Sequence, residues 1–129
     1  MKLFALSLEQ VVELHVVAIQ RYGGSDGLRD LERLKSAIAS QTQEVFGEEL
    51  YKDVYEKAAA LIRNIIGDHP FVDGNRRTAM LAGVTLLEIN GLKFVAVKGE
   101  LEDFAVQVAV ERLEIPVIAA WLKARSKKQ

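Results

Sequence analysis

Residues 79–89 set the tightest limit on the fold. Nearly every position from Ala79 to Ile89 is apolar, with only Thr85 and Glu88 breaking the run. A helix that is hydrophobic all round must be enclosed by other elements. The rest of the chain supplies that enclosure with helical spacing. Tyr51, Val54, Tyr55, Ala58, Leu61, Ile62, Ile65 and Ile66 follow an i, i+3, i+4, i+7 pattern. Ser7 and Gln10 form a capping box ahead of Leu8, Val11, Val12, Leu14, Val17 and Ala18. That helix should stop at Gly23 and Gly24. Asp30 is an N-cap candidate for a helix with Leu31, Leu34, Ala37 and Ile38 on its inner face. Leu101, Phe104, Ala105 and Val108 mark another, and Pro116 opens a last one through Trp121 and Leu122. Asn90 and Gly91 should end the buried helix, and residues 93–97 fit a short extended piece. Residues 41–50 have no clean period and read as a loop or short flap. The expected architecture is an all-α bundle of about six helices, in one domain spanning residues 1–129.

Composition narrows the function. The chain is 50% hydrophobic and 27% charged, a globular balance. It contains no cysteine, which excludes disulfides, thiolate metal sites and cysteine nucleophiles. A net charge of −1 argues against bulk electrostatic binding of nucleic acid. The basic tail, residues 123–128, reads as a solvated C-terminus. The first residues, MKLFALSLEQ, are interrupted by Glu9 and lack a cleavage site, so they read as mature protein. With no bilayer-length apolar run, a cytoplasmic protein without membrane contact is expected.

The two long central helices are joined by HPFVDGN. Between strands, DGN would be a hairpin turn, but here both flanks are helical. Pro70 disfavours helical geometry at His69, so the first of these helices should end near Asp68. The buried one should start near Gly74 or Asn75. The first amides of a helix lack intrahelical partners, and the dipole adds about half a positive charge there. Gly74 lets a ligand approach the backbone, and Arg76 and Arg77 add fixed charge. These features describe an anion site, with phosphate the obvious anion. Cationic residues in a first helical turn need a reason: a bound phosphate, or a nearby acid such as Glu48 or Glu49. His69 can act as a general base. Asp73 can carry Mg²⁺, or it can simply cap the helix. Phe71 reads as a core anchor. His15 reads as structural, Trp121 as core, and Asp68 as a residue that could orient the His69 ring.

HPFVDGNRR resembles the signature of the Fic/Doc superfamily, H-P-F-x-D/E-G-N-G-R-x-x-R. His69, Pro70, Phe71, Asp73, Gly74, Asn75 and Arg77 match it. Arg76 stands where the pattern has its second glycine, and Met80 where it has its last arginine. That form, with RYGG at 21–24 and GLRD at 27–30, is similar to the Doc (death-on-curing) branch, the toxins of type II toxin–antitoxin pairs. The resemblance implies the Fic/Doc helical fold, with the motif between two central helices. It implies His69 as general base, Asp73 as Mg²⁺ carboxylate, and Gly74, Asn75, Arg76 and Arg77 as the nucleotide-phosphate site. Residues before Tyr51 would form a target-positioning flap. Fic enzymes transfer AMP from ATP, helped by the last motif arginine. Doc toxins lack it and act as kinases, transferring the γ-phosphate to a threonine of elongation factor Tu. The resemblance therefore implies ATP and Mg²⁺ as cofactors and kinase chemistry that halts translation. AMP transfer and a non-catalytic interaction module are the alternatives. An S/T-x-x-x-E-G/N inhibitory motif is missing from the sequence, since Thr85 and Glu88 stand one residue too close. Inhibition would then come from a Phd-like antitoxin, binding through its C-terminal helix. Any DNA binding would belong to that partner.

Overall fold

The computed structural model describes residues 3–129. Met1 and Lys2, the start of the segment read as mature protein, lie outside the described residues. The described chain forms the expected all-α bundle: α1 (Leu8–Tyr22), α2 (Leu31–Ala39), α3 (Val54–Asp68), α4 (Asn75–Ile89), α5 (Glu100–Glu111) and α6 (Ile115–Ala124). Two small antiparallel ribbons complete it. They are β1 (Glu44–Val45) with β2 (Glu48–Glu49), and β3 (Leu92–Phe94) with β4 (Ser126–Lys128). None of these helices is long and apolar enough to cross a membrane.

Local chemistry accounts for the boundaries. At α1 the capping box forms as expected: the Gln10 N–H donates to Ser7 Oγ, and the Ser7 N–H to Gln10 Oε1. Asp30 caps α2 by accepting from the Arg33 N–H at 3.0 Å. The apolar spacing from Tyr51 overshoots the start of α3. Asp53, in extended conformation, accepts the Glu56 N–H at 2.8 Å, so the helix begins at Val54. Residues 41–50 contain a hairpin whose Phe46 and Gly47 both have positive φ, 53° and 80°. That is the backbone a tight two-residue connection requires.

The core is laid between α3 and α4, the two helices that flank the motif. In α4, Thr78, Ala79, Ala82, Leu86 and Leu87 are fully buried. α3 is more enclosed than its one-faced spacing implies, with residues 58–62 all inaccessible. The run Ala58, Ala59, Ala60 explains this, because three small side chains let α2, α4, α5 and α6 all approach. Phe71 is buried at the edge of this core, as expected. In the tail Lys123, Lys127 and Lys128 are exposed, as expected of a solvated C-terminus, and Arg125 is the exception. Phe94 pairs with Ser126, and Arg125 lies over the Trp121 ring at 4.1 Å while bonding Glu100 at 2.9 Å. An aromatic platform and a carboxylate hold the arginine that charge counting assigns to solvent.

The α3–α4 crossing depends on Gly83. A Cβ there would lie 2.6 Å from Cγ1 of Ile62, itself fully buried, and would also meet its Cδ1. Overpacking of this kind costs about 1–3 kcal/mol, against a helix-propensity gain of about 1 kcal/mol for Gly→Ala. Gly83→Ala should therefore lose stability in urea unfolding. In an Ile62→Ala background the same substitution should become neutral or stabilising, because the added methyl then enters the space the isoleucine leaves.

Candidate active site

The motif loop takes its shape from Pro70. A helix is disfavoured at a residue preceding proline, and α3 ends there: His69 adopts the left-handed conformation, φ 49° and ψ 57°. Its N–H still reaches back to the Ile65 carbonyl at 3.2 Å, closing the helix end. A non-glycine residue in this region costs about 1–3 kcal/mol and persists only where its surroundings over-determine it.

Those surroundings come from the loop between α1 and α2. The Arg29 and Asp30 N–H groups donate to the Pro70 carbonyl at 2.8 and 3.0 Å, and the Val72 N–H donates to the Gly27 carbonyl at 3.0 Å. Leu28 and Phe71 form an antiparallel bridge. The Arg29 side chain donates from Nε to the His69 carbonyl at 2.7 Å and from Nη2 to the Asp68 carbonyl at 2.8 Å. Arg33 reaches the Asp68 carbonyl at 3.1 Å. Asp68 thus serves through its backbone oxygen. Among the described residues its carboxylate makes no bond to the His69 ring.

His15 supports the loop from below. Its ring stacks on Phe71 with centroids 3.9 Å apart and planes 5° apart. Nε2 lies 2.8 Å from the Asp73 carbonyl, which can only accept, so Nε2 carries the proton. The structural role read for His15 is thereby specified: it shelves the motif. Nothing in its sequence context named Phe71 and Asp73 as its partners.

Each motif residue can now be placed. Asn75 is buried, and its carboxamide is spent on the loop: Oδ1 accepts the Phe71 N–H and Nδ2 donates to the Phe71 carbonyl, both at 3.0 Å. What Asn75 can offer an anion is its backbone N–H. Gly74 caps α4 with φ 74°, and a Cβ on it would lie 3.1 Å from Ile19 Cδ1. The glycine is thus required by backbone hand and by packing on α1, a reason different from ligand approach. Asp73 is exposed and does not side-chain-cap α4 beyond the adjacent Gly74 N–H, at 2.9 Å to Oδ1. Its Oδ2 accepts the Ser25 N–H at 3.1 Å. The bond from Ser25, then that from Gly74, hold its carboxyl below the ordinary carboxylate value, with the nearby His15 adding to them.

Arg76 and Arg77 are both exposed. The Arg77 guanidinium lies 4.0 Å from the centroid of the Tyr22 ring. Glu48 and Glu49 do not supply the reason for these cations. Glu48 pairs with Lys52, and Glu49 with Lys57. The acids sit on the flap, where lysines of their own neighbourhood take them.

His69, Asp73, Gly74, Arg76 and Arg77 line one cleft of about 460 Å³. The lining also takes in apolar side chains, Met80 and Leu81 of α4 and Leu101, Ala105 and Val106 of α5, together with Glu102 and Tyr22. Volume and lining suit a small ligand with an anionic end. Among the described residues no three His, Asp or Glu side chains gather as a metal cage. A divalent ion here would use the lone Asp73 carboxylate, water and ligand oxygens, which is how Mg²⁺ is commonly held.

The Fic/DOC family model matches residues 5–87, the span from α1 through the motif to the end of α4. The chain belongs to the Fic/DOC family. It is 37% identical over 103 residues to Toxin Doc of Mycolicibacterium smegmatis (strain ATCC 700084 / mc(2)155), covering 78% of this chain and 79% of that protein. It is 31% identical over 118 residues to Protein kinase doc of Escherichia phage P1, covering 92% of each. Within this Fic/DOC chain, Met80 lines the cleft as a buried apolar side chain where the Fic pattern would place an arginine.

The Asp73 contacts titrate with a definite sign. Because the native carboxyl is held low, its bonds to Ser25 and Gly74 are present above the ordinary value of 3.8 and are lost as pH falls through the lowered native one. The amide proton resonances of Ser25 and Gly74 should shift together in acid with a midpoint below 3.8. That shared transition should vanish in Asp73→Asn. Independent midpoints for the two amides would rule out a common carboxylate.

Proposed function

We propose that this protein is a Doc-type toxin: a phosphotransferase that moves the γ-phosphate of ATP onto a protein hydroxyl, a threonine of a translation factor such as elongation factor Tu. The observation that carries the reading is the shared cleft, lined by an exposed imidazole, a carboxylate kept ionised and the open N-terminus of α4. Phosphoryl transfer asks mainly for positioning and charge stabilisation, and these groups supply both. Support also comes from the phage relative, whose name is a kinase, and from Met80, which offers no charge for gripping a triphosphate in the Fic manner.

Each residue has a task in this reading. His69, in its neutral form, accepts the proton of the target hydroxyl as that oxygen attacks the γ-phosphorus, and the bond from that phosphorus to the β,γ-bridging oxygen breaks, releasing ADP. The backbone amides at the start of α4, with Arg76 and Arg77, hold phosphate oxygens. Tyr22 keeps the Arg77 guanidinium over the cleft. Asp73 holds Mg²⁺, which when bound neutralises phosphate charge. The apolar side chains from Met80 to Val106 take the nucleobase, and Phe71 anchors the loop from the core side. A Phd-like antitoxin, docking through its C-terminal helix, restrains the activity, and any operator DNA is bound by that partner. A translation-factor target places the protein in the cytoplasm.

The test uses purified protein, Mg²⁺, ATP and elongation factor Tu, read by intact mass. Elongation factor Tu should gain one phosphate, and His69→Ala should slow that gain by about 10²–10⁴-fold. A gain of one AMP would move the chemistry to the Fic type and overturn the meaning given to Met80. No gain would remove elongation factor Tu as the target.

A further inference from the structure

We infer, resting on the reading of His69 as the base, that Arg29 is a positioning residue that sets the backbone from which the imidazole reaches the cleft. Pro70 biases His69 away from the right-handed helix and toward extended backbone, and the left-handed region is disfavoured for any residue with a Cβ. The conformation, φ 49° and ψ 57°, therefore needs an external constraint.

Arg29 supplies one of the right form. Its Nε and Nη2 donate to the carbonyls of His69 and Asp68 at 2.7 and 2.8 Å. Those carbonyls belong to the two peptide planes on either side of the His69 Cα. The relation between the planes is set by φ and ψ of His69 alone. A guanidinium is a rigid planar fork, so its two donors have a fixed mutual direction. One side chain gripping both planes thus fixes both dihedrals. The fork is itself registered, because the Arg29 N–H donates to the Pro70 carbonyl at 2.8 Å.

Arg33 provides the internal control. It also brings a cation to the end of α3, but it reaches the Asp68 carbonyl alone, at 3.1 Å. If charge at the helix C-terminus were the whole effect, the two arginines would be equivalent. If plane fixing is the effect, only Arg29 matters to the reaction.

The experiment compares Arg29→Ala, Arg29→Lys and Arg33→Ala with the full-length protein. The readouts are kcat and KM for ATP with elongation factor Tu, ATP affinity by calorimetry, and the His69 backbone conformation from its amide–Hα coupling and Cα shift. Arg29→Ala should lower kcat roughly 10- to 100-fold, the scale of a displaced reacting group, with ATP affinity unchanged. Arg29→Lys should recover part of the loss, since an ammonium can reach one carbonyl. Arg33→Ala should stay close to the unaltered protein. An equal loss in Arg33→Ala, or ATP affinity falling in step with kcat, overturns the inference. If Arg29→Ala does not fold, Arg29→Lys against Arg33→Ala carries the same comparison. If the unaltered protein transfers nothing to elongation factor Tu, the functional reading falls on its own and the backbone signature decides. A left-handed signature lost in the Arg29 variant and kept in Arg33→Ala supports plane fixing, and one retained in both sinks it.

Discussion

Pro70 is the constraint on which the site depends. By stopping α3 at Asp68, it leaves the open carbonyls of one buried helix facing the same short loop as the open amides of the next. These two ends have opposite needs. The chain meets part of the first need itself: Arg29 and Arg33 donate to the Asp68 carbonyl, Arg29 also to that of His69, and the His69 N–H to that of Ile65. The second is left largely unmet, since Gly74 brings no side-chain cap and Arg76 and Arg77 raise the positive charge further. A helix start built that way is unfavourable alone and becomes favourable with an anion on it. The asymmetry between an acceptor end that side chains close in part and a donor end left open gives the loop its direction as a site.

Rigidity comes from a few long-range bonds. Asn75 ties the loop to itself through Phe71, His15 shelves Phe71 and the Asp73 carbonyl, and the 27–30 segment bridges Pro70 and Val72. Burying Phe71 contributes about 2–3 kcal/mol, comparable to the strain that left-handed His69 introduces. The loop is therefore held by the core, while the His69, Asp73, Arg76 and Arg77 side chains stay exposed.

Much of this was legible in the sequence, for identifiable reasons. The caps at Ser7 and Asp30, the Pro70 break and the motif from His69 to Arg77 are local, so their chemistry is written in consecutive residues. Asn75 shows the limit. Its place in the motif was legible, but its side-chain partner was not, because the Phe71 backbone comes within reach only once the loop has closed. His15 and Arg29 are further cases. Their partners lie 58 and 40 residues away, and helical spacing says nothing about which distant backbone a side chain will meet. The extended piece expected at 93–97 overlaps β3, but its partner β4 escaped for another reason: a three-residue strand carries no period, and Ser-Lys-Lys reads as solvent.

The flap divides the molecule into a fixed part and a reaching part. Lys57 of α3 is buried, and such a charge is tolerated only with partners. It finds them in the Gln41 carbonyl and in Glu49 of β2, both at 2.8 Å. That contact anchors the base of the hairpin to the same helix that ends in His69. The tip is different: Phe46 is fully exposed, in a turn where no packing rewards an aromatic side chain. Because α3 holds the flap near its N-terminal end and His69 at its C-terminal end, the spacing between hairpin base and imidazole is set by one rigid helix.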